Sequence, residues 1–575
     1  MTELTAEVES GRIYVRSPFS LKDAMKEMPG ARWHPESKRW HYPATAAAAE
    51  SIARLARKHS AALHTDTAFD AILEEAREAY RARRNRDRTD LPDLPTTTTA
   101  WTHQRQAFHF AAGQPAAMLA MDMGTGKSLT AIGLMEGWQA STAIVVCPTS
   151  VVDVWPREFR KHASRPWRVV APRKGSVARR TAEAVAAIES ATPAHPVCVV
   201  INYEAAWREP FATWALSVEW DVAICDESHR IKAPGGKQSQ WCHRLAHHAR
   251  KRLALTGTPL AHGPLDLYAQ FRFLDEGIFG TSHHRFKTRY AIMGGYGGHE
   301  VLGYQRQDEL AERMGRLAYQ CRADEVLDLP GERDETRTCQ LTPASRRVYD
   351  DLWDDYCADV IEEDGAVTEV SVTNVLTRLL RIQQVTSGHL PVEDVPGDPD
   401  TRRVVTLGTE KRDLLKDYLR DIPADPDQPG ADPVVVFARF THDLKAIRDV
   451  AAELGRTYGE ISGRTKDALA SDATMAPGLD VIGVQISSGG VGIDLTRSRY
   501  GVYYSLGFSL TDYVQSRARL HRPGQERSVY YCHLVAEGTI DTVVYNALAA
   551  RQDVVDAVLT AARGGGQRAQ EAVAT

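Results

Sequence analysis

The sequence predicts an α/β protein with two lobes, each built on a parallel sheet, and a small α+β module in front of them. Apolar runs alternate with helical patterns in two parts of the chain, residues 99–280 and 406–562. Continuous apolar runs are typical of strands buried on both faces of a parallel sheet. Residues 281–405 have a mostly helical pattern and are too long for a simple loop, so they are predicted to form helical insertions and a hinge.

The composition is that of an ordinary globular protein with several domains. The 575 residues exceed what one hydrophobic core usually serves, and 43% of them are hydrophobic. The net charge of -5 gives no overall cationic field, so contact with nucleic acid would need local basic surfaces. The eight cysteines lack a C-x-x-C pair and are interpreted as reduced core residues.

The start of the chain, MTELTAEVESGR, has no secretory signal pattern, and no apolar run approaches the roughly 20 residues that span a bilayer. These features predict an intracellular protein of the cytoplasm or nucleoid, without a membrane partner. The tail at residues 563–575 is predicted to be disordered.

The first 98 residues divide into a small module and a connecting helix. Residues 1–58 combine short alternating segments with an Ala-rich helical stretch, which is typical of an α+β module. Residues 59–98 contain a basic helix and the linker DLPDLPTTTT. Its basic residues are Arg77, Arg81, Arg83, Arg84, Arg86 and Arg88. They could grip DNA phosphates or belong to a solvated helix, and phosphate contact is slightly favoured.

The segment MGTGKS at residues 123–128 is the central chemical motif. It follows an apolar run and precedes a helical pattern. Glycines allow backbone N–H groups to wrap the phosphates of ATP, a lysine here supplies charge to the β and γ oxygens, and the following serine can bind Mg²⁺. The residues assigned to the nucleotide are Gly124, Thr125, Gly126, Lys127 and Ser128. Position 121 is Met where the common pattern has its first Gly, which fits the shorter G-x-G-K-[ST] form.

A second motif, Asp226-Glu-Ser-His229, directly follows the apolar run WDVAIC. Asp226 at the end of a buried strand could hold Mg²⁺ through its waters, and Glu227 could orient or deprotonate the attacking water. The alternative is an acidic turn that ends a strand, which the phosphate loop about a hundred residues earlier disfavours. The segment LTGTP at residues 255–259 could relay the nucleotide state. Gln104 is placed to read the adenine edge, although a solvent-exposed glutamine would look the same.

In order along the chain, these segments resemble the superfamily-two helicase-like ATPases, and more closely the Swi/Snf family of DNA translocases. The segments that carry the resemblance are MDMGTGKS, VVCPTSVVDVWPREFRK, DESHRIK, LTGTPLAHGPLDLYAQFRFL, VVVFARFTHDL, SSGGVGIDLT and VQSRARLHRPGQ. They cover roughly residues 100–550. The resemblance implies two RecA-like lobes, hydrolysis of ATP with Mg²⁺, and double-stranded or branched DNA as a partner that is tracked without base reading.

The resemblance also implies site residues in the second lobe. Gln515 and Arg519, four apart, are predicted to share one face of a helix, with Arg522 at its end before a proline. These arginines would complete the ATP site, whereas a solvated basic helix is the alternative. Gly490, Gly492 and Asp494 form the glycine-rich loop of this lobe. Many Swi/Snf members have Asn where Asp494 stands, and the expected role is at the ribose or in coupling of the lobes.

The segment GARWHPESKRWHYP within residues 1–58 resembles the HARP domain of annealing helicases. Trp33 and Trp40 could stack on DNA or form the core of the module, and the sequence leaves both interpretations open. Together, the motifs imply an ATP-dependent double-stranded DNA translocase that remodels or anneals DNA. The alternatives are a strand-separating DEAH-type DNA or RNA helicase and a non-catalytic DNA-binding scaffold or sensor. The sequence does not identify a protein partner.

Overall fold

The computed structural model describes residues 3–172, 175–260, 263–294, 300–362, 369–393, 402–422, 432–470, 473–486 and 493–550. The chain divides into two compact units, one ending at Leu327 and the other beginning at Asp328. Each unit contains a parallel sheet with helices packed on it, so the α/β class is confirmed. The predicted tail at residues 563–575 lies outside the described residues.

The amino-terminal module is a five-stranded sheet with helices on one face, in the strand order β3-β4-β2-β1-β5. Its strands are β1 (Glu3–Glu9), β2 (Arg12–Arg16), β3 (Arg32–His34), β4 (Arg39–Pro43) and β5 (Ala62–Thr65), and its helices are α1 (Lys22–Glu27) and α2 (Ala46–Lys58). The core is formed by Leu4, Ile13, Val15 and Ile52. Because β5 pairs in parallel with β1, the module extends a few residues beyond the predicted boundary at residue 58.

A long helix, α3 (Thr67–Arg83), connects the module to the first lobe. The Asp66 side chain accepts a hydrogen bond from Phe69 N at 2.7 Å, which caps this helix. The module also contacts the lobe directly, because Asp275 accepts a hydrogen bond from Ala47 N at 3.4 Å and Arg285 donates to the carbonyl of Ala31 at 3.0 Å. Module and first lobe therefore belong to one compact unit.

The first lobe contains a seven-stranded sheet, among the residues described, in the order β14-β6-β11-β10-β7-β9-β8. All its neighbouring strands run parallel. The strands are β6 (Ala116–Met121), β7 (Thr142–Cys147), β8 (Arg168–Val170), β9 (Val197–Asn202), β10 (Trp220–Asp226), β11 (Ala249–Thr256) and β14 (Ala318–Cys321), and a separate hairpin pairs β12 (Ala291–Gly294) with β13 (Glu300–Tyr304). Every residue of β6 is buried, as its apolar run predicted.

The helices of this lobe connect successive strands. They are α4 (Thr102–Ala112), α5 (Lys127–Gly137), α6 (Trp155–His162), α7 (Val177–Ile188), α8 (Tyr203–Ala206), α9 (Phe211–Ala215), α10 (Lys237–Ala246), α11 (Leu267–Leu274), α12 (Glu276–Phe279), α13 (His283–Tyr290), α14 (Gln307–Met314) and α15 (Ala323–Val326). Parallel strands need such crossover connections. The loops that follow the carboxyl ends of the strands therefore all lie at the same edge of the sheet.

The second unit repeats this construction with a parallel sheet in the order β15-β22-β21-β18-β20-β19. Its main strands are β15 (Glu332–Cys339), β18 (Val434–Ala438), β19 (Tyr458–Ile461), β20 (Val481–Gln485), β21 (Tyr500–Tyr503) and β22 (Val529–Ala536), and β16 (His389–Glu393) pairs with β17 (Arg402–Thr406). The helices are α16 (Pro343–Glu362), α17 (Glu369–Thr386), α18 (Glu410–Asp421), α19 (Thr441–Glu453), α20 (Leu510–Arg517) and α21 (Ile540–Ala549).

The segment predicted to form helical insertions and a hinge, residues 281–405, is divided between the two units. Its strand β14 extends the first sheet beside β6, and β15 extends the second sheet beside β22. Neither strand was predicted from the sequence, because β14 has only four residues and most residues of β15 are exposed and polar. The first lobe therefore continues to Leu327 and the second begins at Asp328, where the predicted lobe boundaries were residues 280 and 406.

Six of the seven cysteines whose side chains the structure describes are buried, and all seven are free thiols. They lie in or beside the apolar cores, which agrees with their interpretation as core residues. Within the described ranges, none of the helices combines the length and the apolar character that a bilayer crossing requires.

Candidate functional site

The phosphate loop connects β6 to α5, as the MGTGKS motif predicted. Gly124 and Gly126 adopt φ of 79° and 88°, in the left-handed region where a side chain is strained. Lys127 is the first residue of α5, and its Nζ donates to the carbonyls of Met121 at 2.9 Å and Asp122 at 3.2 Å. The structure thus brings the residues from Gly124 to Ser128 together at a helix N-terminus, which favours anions.

Two side chains of α4 support this loop from behind. The side-chain amide of Gln104 donates to the carbonyl of Thr125 at 2.9 Å and accepts a hydrogen bond from Trp101 N at 2.9 Å. His103 Nε2 donates to the same carbonyl at 2.9 Å, and burial lowers the pKa of this histidine. Gln104 is buried and bound to the loop, so the alternative of a solvent-exposed glutamine is excluded. Contact with adenine stays a prediction.

Asp226 ends β10 as a buried carboxylate near the phosphate loop. Its Oδ2 accepts a hydrogen bond from Trp155 Nε1 at 3.0 Å, and its Oδ1 accepts one from Glu227 N at 3.0 Å. Burial, together with the charge of Glu227, raises the pKa of Asp226 to about 7, while Trp155 and the nearby Lys127 oppose this rise. Two adjacent acidic groups away from water form a suitable site for a divalent cation, because Mg²⁺ prefers oxygen ligands.

Glu227 follows the strand with φ of 51° and ψ of 56°, a left-handed conformation that is unusual for a residue other than Gly. Such strain, of order 1–3 kcal/mol, persists where the surrounding structure enforces it, commonly at functional sites. The turn sets Glu227 Oε2 at 3.4 Å from His229 Nδ1. The same His229 nitrogen lies 3.4 Å from Thr256 Oγ1. Glu227 is thereby connected through His229 to the segment LTGTP at the end of β11.

A second connection runs through Gln270 of α11. Ser228 Oγ donates to Gln270 Oε1 at 2.8 Å, and Gln270 Nε2 donates to the carbonyls of Pro259 and Asp266, each at 2.9 Å. Gln270 and Trp155, like His103, were not among the predicted site residues. They are distant in sequence from the residues they contact, and only the fold brings them together.

The arginine segment of the second unit differs from its predicted geometry. Gln515 is buried in α20, but this helix ends at Arg517, so Arg519 lies in the following turn and does not share a helical face with Gln515. The turn is held by Gln525, whose side chain donates to the carbonyls of Thr496, Ser498 and Leu520. Pro523, which suggested the helix end, lies further along.

Arg519 and Arg522 occupy this turn region. Arg519 is 6% exposed, and its backbone N donates to the carbonyl of Ser516 at 3.2 Å. Arg522 is half-buried, and its Nη1 donates to the carbonyl of Ile493 at 3.4 Å. The solvated basic helix, which was the alternative for these residues, does not describe what the structure shows.

Of the glycine-rich loop in the second unit, Gly490 and Gly492 lie outside the described residues. Asp494 Oδ1 accepts hydrogen bonds from the backbone N and the Oγ1 of Thr496, at 2.9 and 2.7 Å. Its backbone N donates to the carbonyl of Ala473 at 3.0 Å. This carboxylate therefore stabilises a local turn, and a role at the ribose or in coupling stays a prediction.

The basic residues of α3 and of the turn that follows it are bound to their own unit at several points. Arg86 donates to the carbonyls of Gly315 and Ala318, each at 2.9 Å, and Arg83 lies 3.3 Å from Glu50. The remaining ion pairs are Arg77 and Arg81 with Glu74, and Arg88 with Asp90. These contacts indicate that Arg83 and Arg86 stabilise the first unit. The ion pairs of Arg77, Arg81 and Arg88 are exposed and weak, so these arginines could still bind a phosphate.

The two tryptophans of the module have different environments. Trp40 is 7% exposed and belongs to the core, whereas Trp33 is 49% exposed. Their rings meet edge to face with centroids 5.2 Å apart. Trp40 therefore fits the interpretation as a core residue. Trp33 fits the interpretation as a residue that could stack on DNA, since about half of its surface is exposed.

Comparison with known proteins identifies relatives of this chain. The sequence model of the SNF2-related domain matches residues 74–388, more than half of the chain. The chain is 24% identical over 454 residues to the SWI/SNF-related matrix-associated actin-dependent regulator of chromatin subfamily A-like protein 1 homolog of Caenorhabditis elegans, with 77% of this chain and 59% of that protein covered. It is 23% identical over 511 residues to the DNA repair and recombination protein RAD54B of Gallus gallus, with 80% and 54% covered. The chain thus spans little more than half the length of these relatives.

The comparison with solved structures matches the Sulfolobus solfataricus SWI2/SNF2 ATPase core in complex with dsDNA. The identity is 20%, the TM-score is 0.38, and 84% of this chain and 98% of that chain are covered. The HARP-like character of residues 1–58 stays a prediction, because the family match begins within α3. That match includes the phosphate loop, the Asp226–Glu227 pair and the edge strand β14 in one continuous span, and the chain therefore belongs to the SNF2-related domain family.

Proposed function

We propose that the protein is a DNA-stimulated ATPase that translocates on double-stranded DNA and remodels or anneals DNA structures. The observation that carries this proposal is the position of Asp226 and Glu227. They form a buried acidic pair at the end of β10, with Lys127 close enough to affect the pKa of Asp226. Glu227 is also connected through His229 to the end of β11.

Each residue has a distinct task in this proposal. The backbone of Gly124, Thr125 and Gly126 with Lys127 binds the phosphates of ATP. Glu227 orients the attacking water and accepts its proton, since a carboxylate held beside the phosphate loop can act as a general base. Asp226 and Ser128 would hold Mg²⁺, which neutralises charge on the phosphate oxygens when bound.

Residues of the second unit complete the proposed reaction. We assign to Arg519 and Arg522 the supply of positive charge to the transferred phosphoryl group, with Gln515 as a further polar contact. We assign Asp494, with Gly490 and Gly492, to the ribose or to coupling between nucleotide and DNA. These assignments rest on the resemblance of VQSRARLHRPGQ and SSGGVGIDLT to Swi/Snf segments.

The DNA part of the proposal rests on family membership and on the names of the relatives, which refer to chromatin, DNA repair and recombination. Contacts to the phosphate backbone would make binding largely independent of base sequence. Such an activity belongs in the intracellular compartment that contains the DNA. Annealing of branched DNA would use the amino-terminal module, with Trp33 as the exposed aromatic surface.

The decisive experiment measures ATP hydrolysis by the full chain with duplex DNA, forked DNA, single-stranded DNA and RNA. We expect duplex and forked DNA to stimulate turnover most, with Glu227→Gln as the inactive control. Greater stimulation by RNA or single strands would favour a DEAH-type helicase. Undetectable turnover with every nucleic acid would favour a non-catalytic scaffold.

Translocation requires its own measurement. Displacement of a third strand from a triplex reports movement along a duplex, whereas release of a strand from a partial duplex reports strand separation. We expect ATP-dependent triplex displacement without comparable unwinding. Efficient unwinding in the absence of triplex displacement would contradict the translocase proposal.

A further inference from the structure

Three metal-binding side chains come together in the first unit, apart from the phosphate loop. His243 and His247 are four residues apart at the carboxyl end of α10, and Glu276 is the first residue of α12. One ligand atom from each residue lies within 4.8 Å of the other two. Side chains at positions i and i+4 share a helical face, so both imidazoles are directed to the same side of α10.

Well-ordered elements position these ligands. Trp241 and Leu245 of α10 are buried in the core of the first lobe, and Trp241 Nε1 donates to the carbonyl of Ala212 at 3.3 Å. The α12 helix is capped by Asp275, whose Oδ1 accepts a hydrogen bond from Gly277 N at 2.7 Å. Ligands on packed helices keep their geometry better than ligands on loops.

The two nitrogens of His243 both face acceptors. Nδ1 lies 3.2 Å from the carbonyl oxygen of Arg272, and Nε2 lies 3.2 Å from Glu276 Oε1. A neutral imidazole has one N–H, so it can donate to only one of these oxygens. A ring whose Nδ1 donates to the carbonyl of Arg272 has a lone pair at Nε2, where a cation can bind. Donation from Nδ1 to a backbone carbonyl is the usual way in which proteins orient a histidine that binds metal through Nε2.

The 3.2 Å between His243 Nε2 and Glu276 Oε1 fits two ligand atoms of one metal ion. In a tetrahedral zinc site with bonds of about 2.1 Å, two ligand atoms lie roughly 3.4 Å apart. A second imidazole is also present, because the rings of His243 and His247 have centroids 4.9 Å apart. A hydrogen bond between His243 and Glu276 alone would not explain why the His247 ring lies beside them. Arg272 Nε lies 3.4 Å from Glu276 Oε1, but a carboxylate has enough lone pairs to accept from it and bind a metal.

The position of the cluster separates it from the ATPase chemistry. His247 lies just before the start of β11, whereas Thr256, which contacts His229, is at the end of that strand. Because β10 and β11 are parallel, the cluster is at the edge of the sheet opposite to Asp226, roughly 20 Å along the strand. Glu276 also follows Asp275, which contacts the amino-terminal module through Ala47 N.

We propose that His243, His247 and Glu276 bind one Zn²⁺ ion, with water in the fourth position. Two imidazoles and a carboxylate suit zinc among the common divalent metals. His247 is exposed, so the ion can enter from solvent. The ion would join α10 to α12 and thereby stabilise the region of the first lobe on which the module packs.

The test uses the full chain without a polyhistidine tag, stripped with a chelator and kept in excess Mg²⁺ so that Asp226 does not take up zinc. We expect one equivalent of zinc to remain bound through gel filtration, measured by elemental analysis, and to raise the unfolding temperature. Cobalt in place of zinc should give visible absorption bands of a tetrahedral site.

Two variants remove a ligand, His247→Gln and Glu276→Gln. Loss of a supporting residue around a metal ligand typically lowers affinity by about 10- to 100-fold, and loss of a ligand should cost at least as much. The matched control is His248→Gln, because His248 faces Glu219 at 3.4 Å and should not affect binding. The proposal is overturned if the stripped chain takes up no stoichiometric zinc. It is also overturned if both ligand variants bind zinc as the unaltered chain does, which would place the ion elsewhere.

Discussion

The side-chain amide of Gln104 occupies the space into which a side chain at Gly126 would project. A Cβ atom at Gly126 would lie 2.1 Å from Gln104 Nε2, and the three nearest heavy atoms all belong to Gln104. The glutamine cannot move away cheaply, because its amide is buried and bonded to Thr125 and Trp101. Glycine is therefore required at position 126 for two reasons, its φ of 88° and the space that the Gln104 side chain occupies.

We predict that Gly126→Ala strongly weakens ATP binding and destabilises the first lobe. The left-handed conformation alone costs a residue with a side chain about 1–2 kcal/mol. The displaced amide adds the loss of two hydrogen bonds, each typically about 1 kcal/mol. Urea unfolding and binding of a fluorescent ATP analogue would measure the two effects.

The matched control is Gly11→Ala, since Gly11 has φ of 71° and nothing within 4 Å of an added Cβ. In a Gln104→Ala background, the cost of Gly126→Ala should fall to about that of the control. Equal costs of Gly126→Ala with and without Gln104 would show that the two side chains do not compete for this space.

A second prediction concerns Glu227→Gln, which should bind ATP but hydrolyse it extremely slowly. The amide keeps the size of the side chain and can still contact His229, but it cannot accept a proton from water. Stopped-flow binding and steady-state hydrolysis with duplex DNA would separate the two effects. Turnover at the rate of the unaltered protein would remove Glu227 from the mechanism.

A third prediction concerns Arg522. If it supplies charge to the phosphoryl group, Arg522→Ala should lower DNA-stimulated turnover by about 10³- to 10⁵-fold, with a modest change in ATP affinity. Arg522→Lys should recover little, because an ammonium lacks the planar fork of a guanidinium. The control is Arg527→Ala, whose side chain is held by Asp432 at 3.2 Å. More than a tenth of the original rate in Arg522→Ala, a loss below ~1.4 kcal/mol, would exclude the assignment.

A fourth prediction concerns the contact between module and lobe. Asp275→Ala removes the acceptor of Gly277 N and Ala47 N, both buried, and should destabilise the first unit by about 1–3 kcal/mol. Deletion of residues 1–58 should lower the unfolding temperature as well, because Ala47 is part of the lobe's apolar core. Asp23→Ala, an exposed acidic change in the first turn of α1, is the control. An unchanged unfolding temperature after the deletion would show that the lobe does not depend on the module.

A fifth prediction concerns pH. His533 is fully buried, stacked on Tyr503 and bonded to Tyr513 Oη at 3.0 Å. Burial lowers its pKa to about 4, against about 6.5 in an unfolded chain. Between these values the unfolded state binds more protons, so this residue makes the protein less stable as the pH falls.

The expected loss from His533 is about 2 kcal/mol between pH 7 and pH 5. Urea unfolding at both pH values should show a smaller pH dependence in His533→Gln, whatever its absolute stability. The two proteins differ only at position 533, so the difference between their pH dependences reports the histidine and the groups that it contacts, such as Asp334. Identical pH dependence would show that His533 does not contribute.

The sequence predicted the parallel sheets and the first-lobe motifs because each depends on neighbouring residues. An apolar run such as AAMLAM reports a buried strand directly, and the loop from Gly124 to Ser128 is a local structure. The edge strands β14 and β15 were missed because the former is short and the latter polar.

Contacts between distant parts of the chain could not be predicted from local patterns. The hydrogen bond from Trp155 to Asp226 joins α6 to the end of β10, and that of Ser228 with Gln270 joins the turn after β10 to α11. The early end of α20 also has a tertiary cause, since Gln525 binds the carbonyls of Thr496 and Ser498 in another segment of the chain. The prediction that Arg519 lies beside Gln515 used helical spacing alone, and helical spacing takes no account of contacts with other segments.

The strand β14 connects the end of the first unit to the phosphate loop. β14 pairs with β6, Asp122 N donates to the carbonyl of Cys321 at 2.9 Å, and Asp122 Oδ2 accepts a hydrogen bond from Ala323 N at 3.0 Å. Asp122 directly precedes the MGTGKS segment, and the first unit ends at Leu327, a few residues after Ala323. A shift of the phosphate loop would therefore also move the backbone at Ala323, so the last residues of the first unit should respond to whether nucleotide is bound.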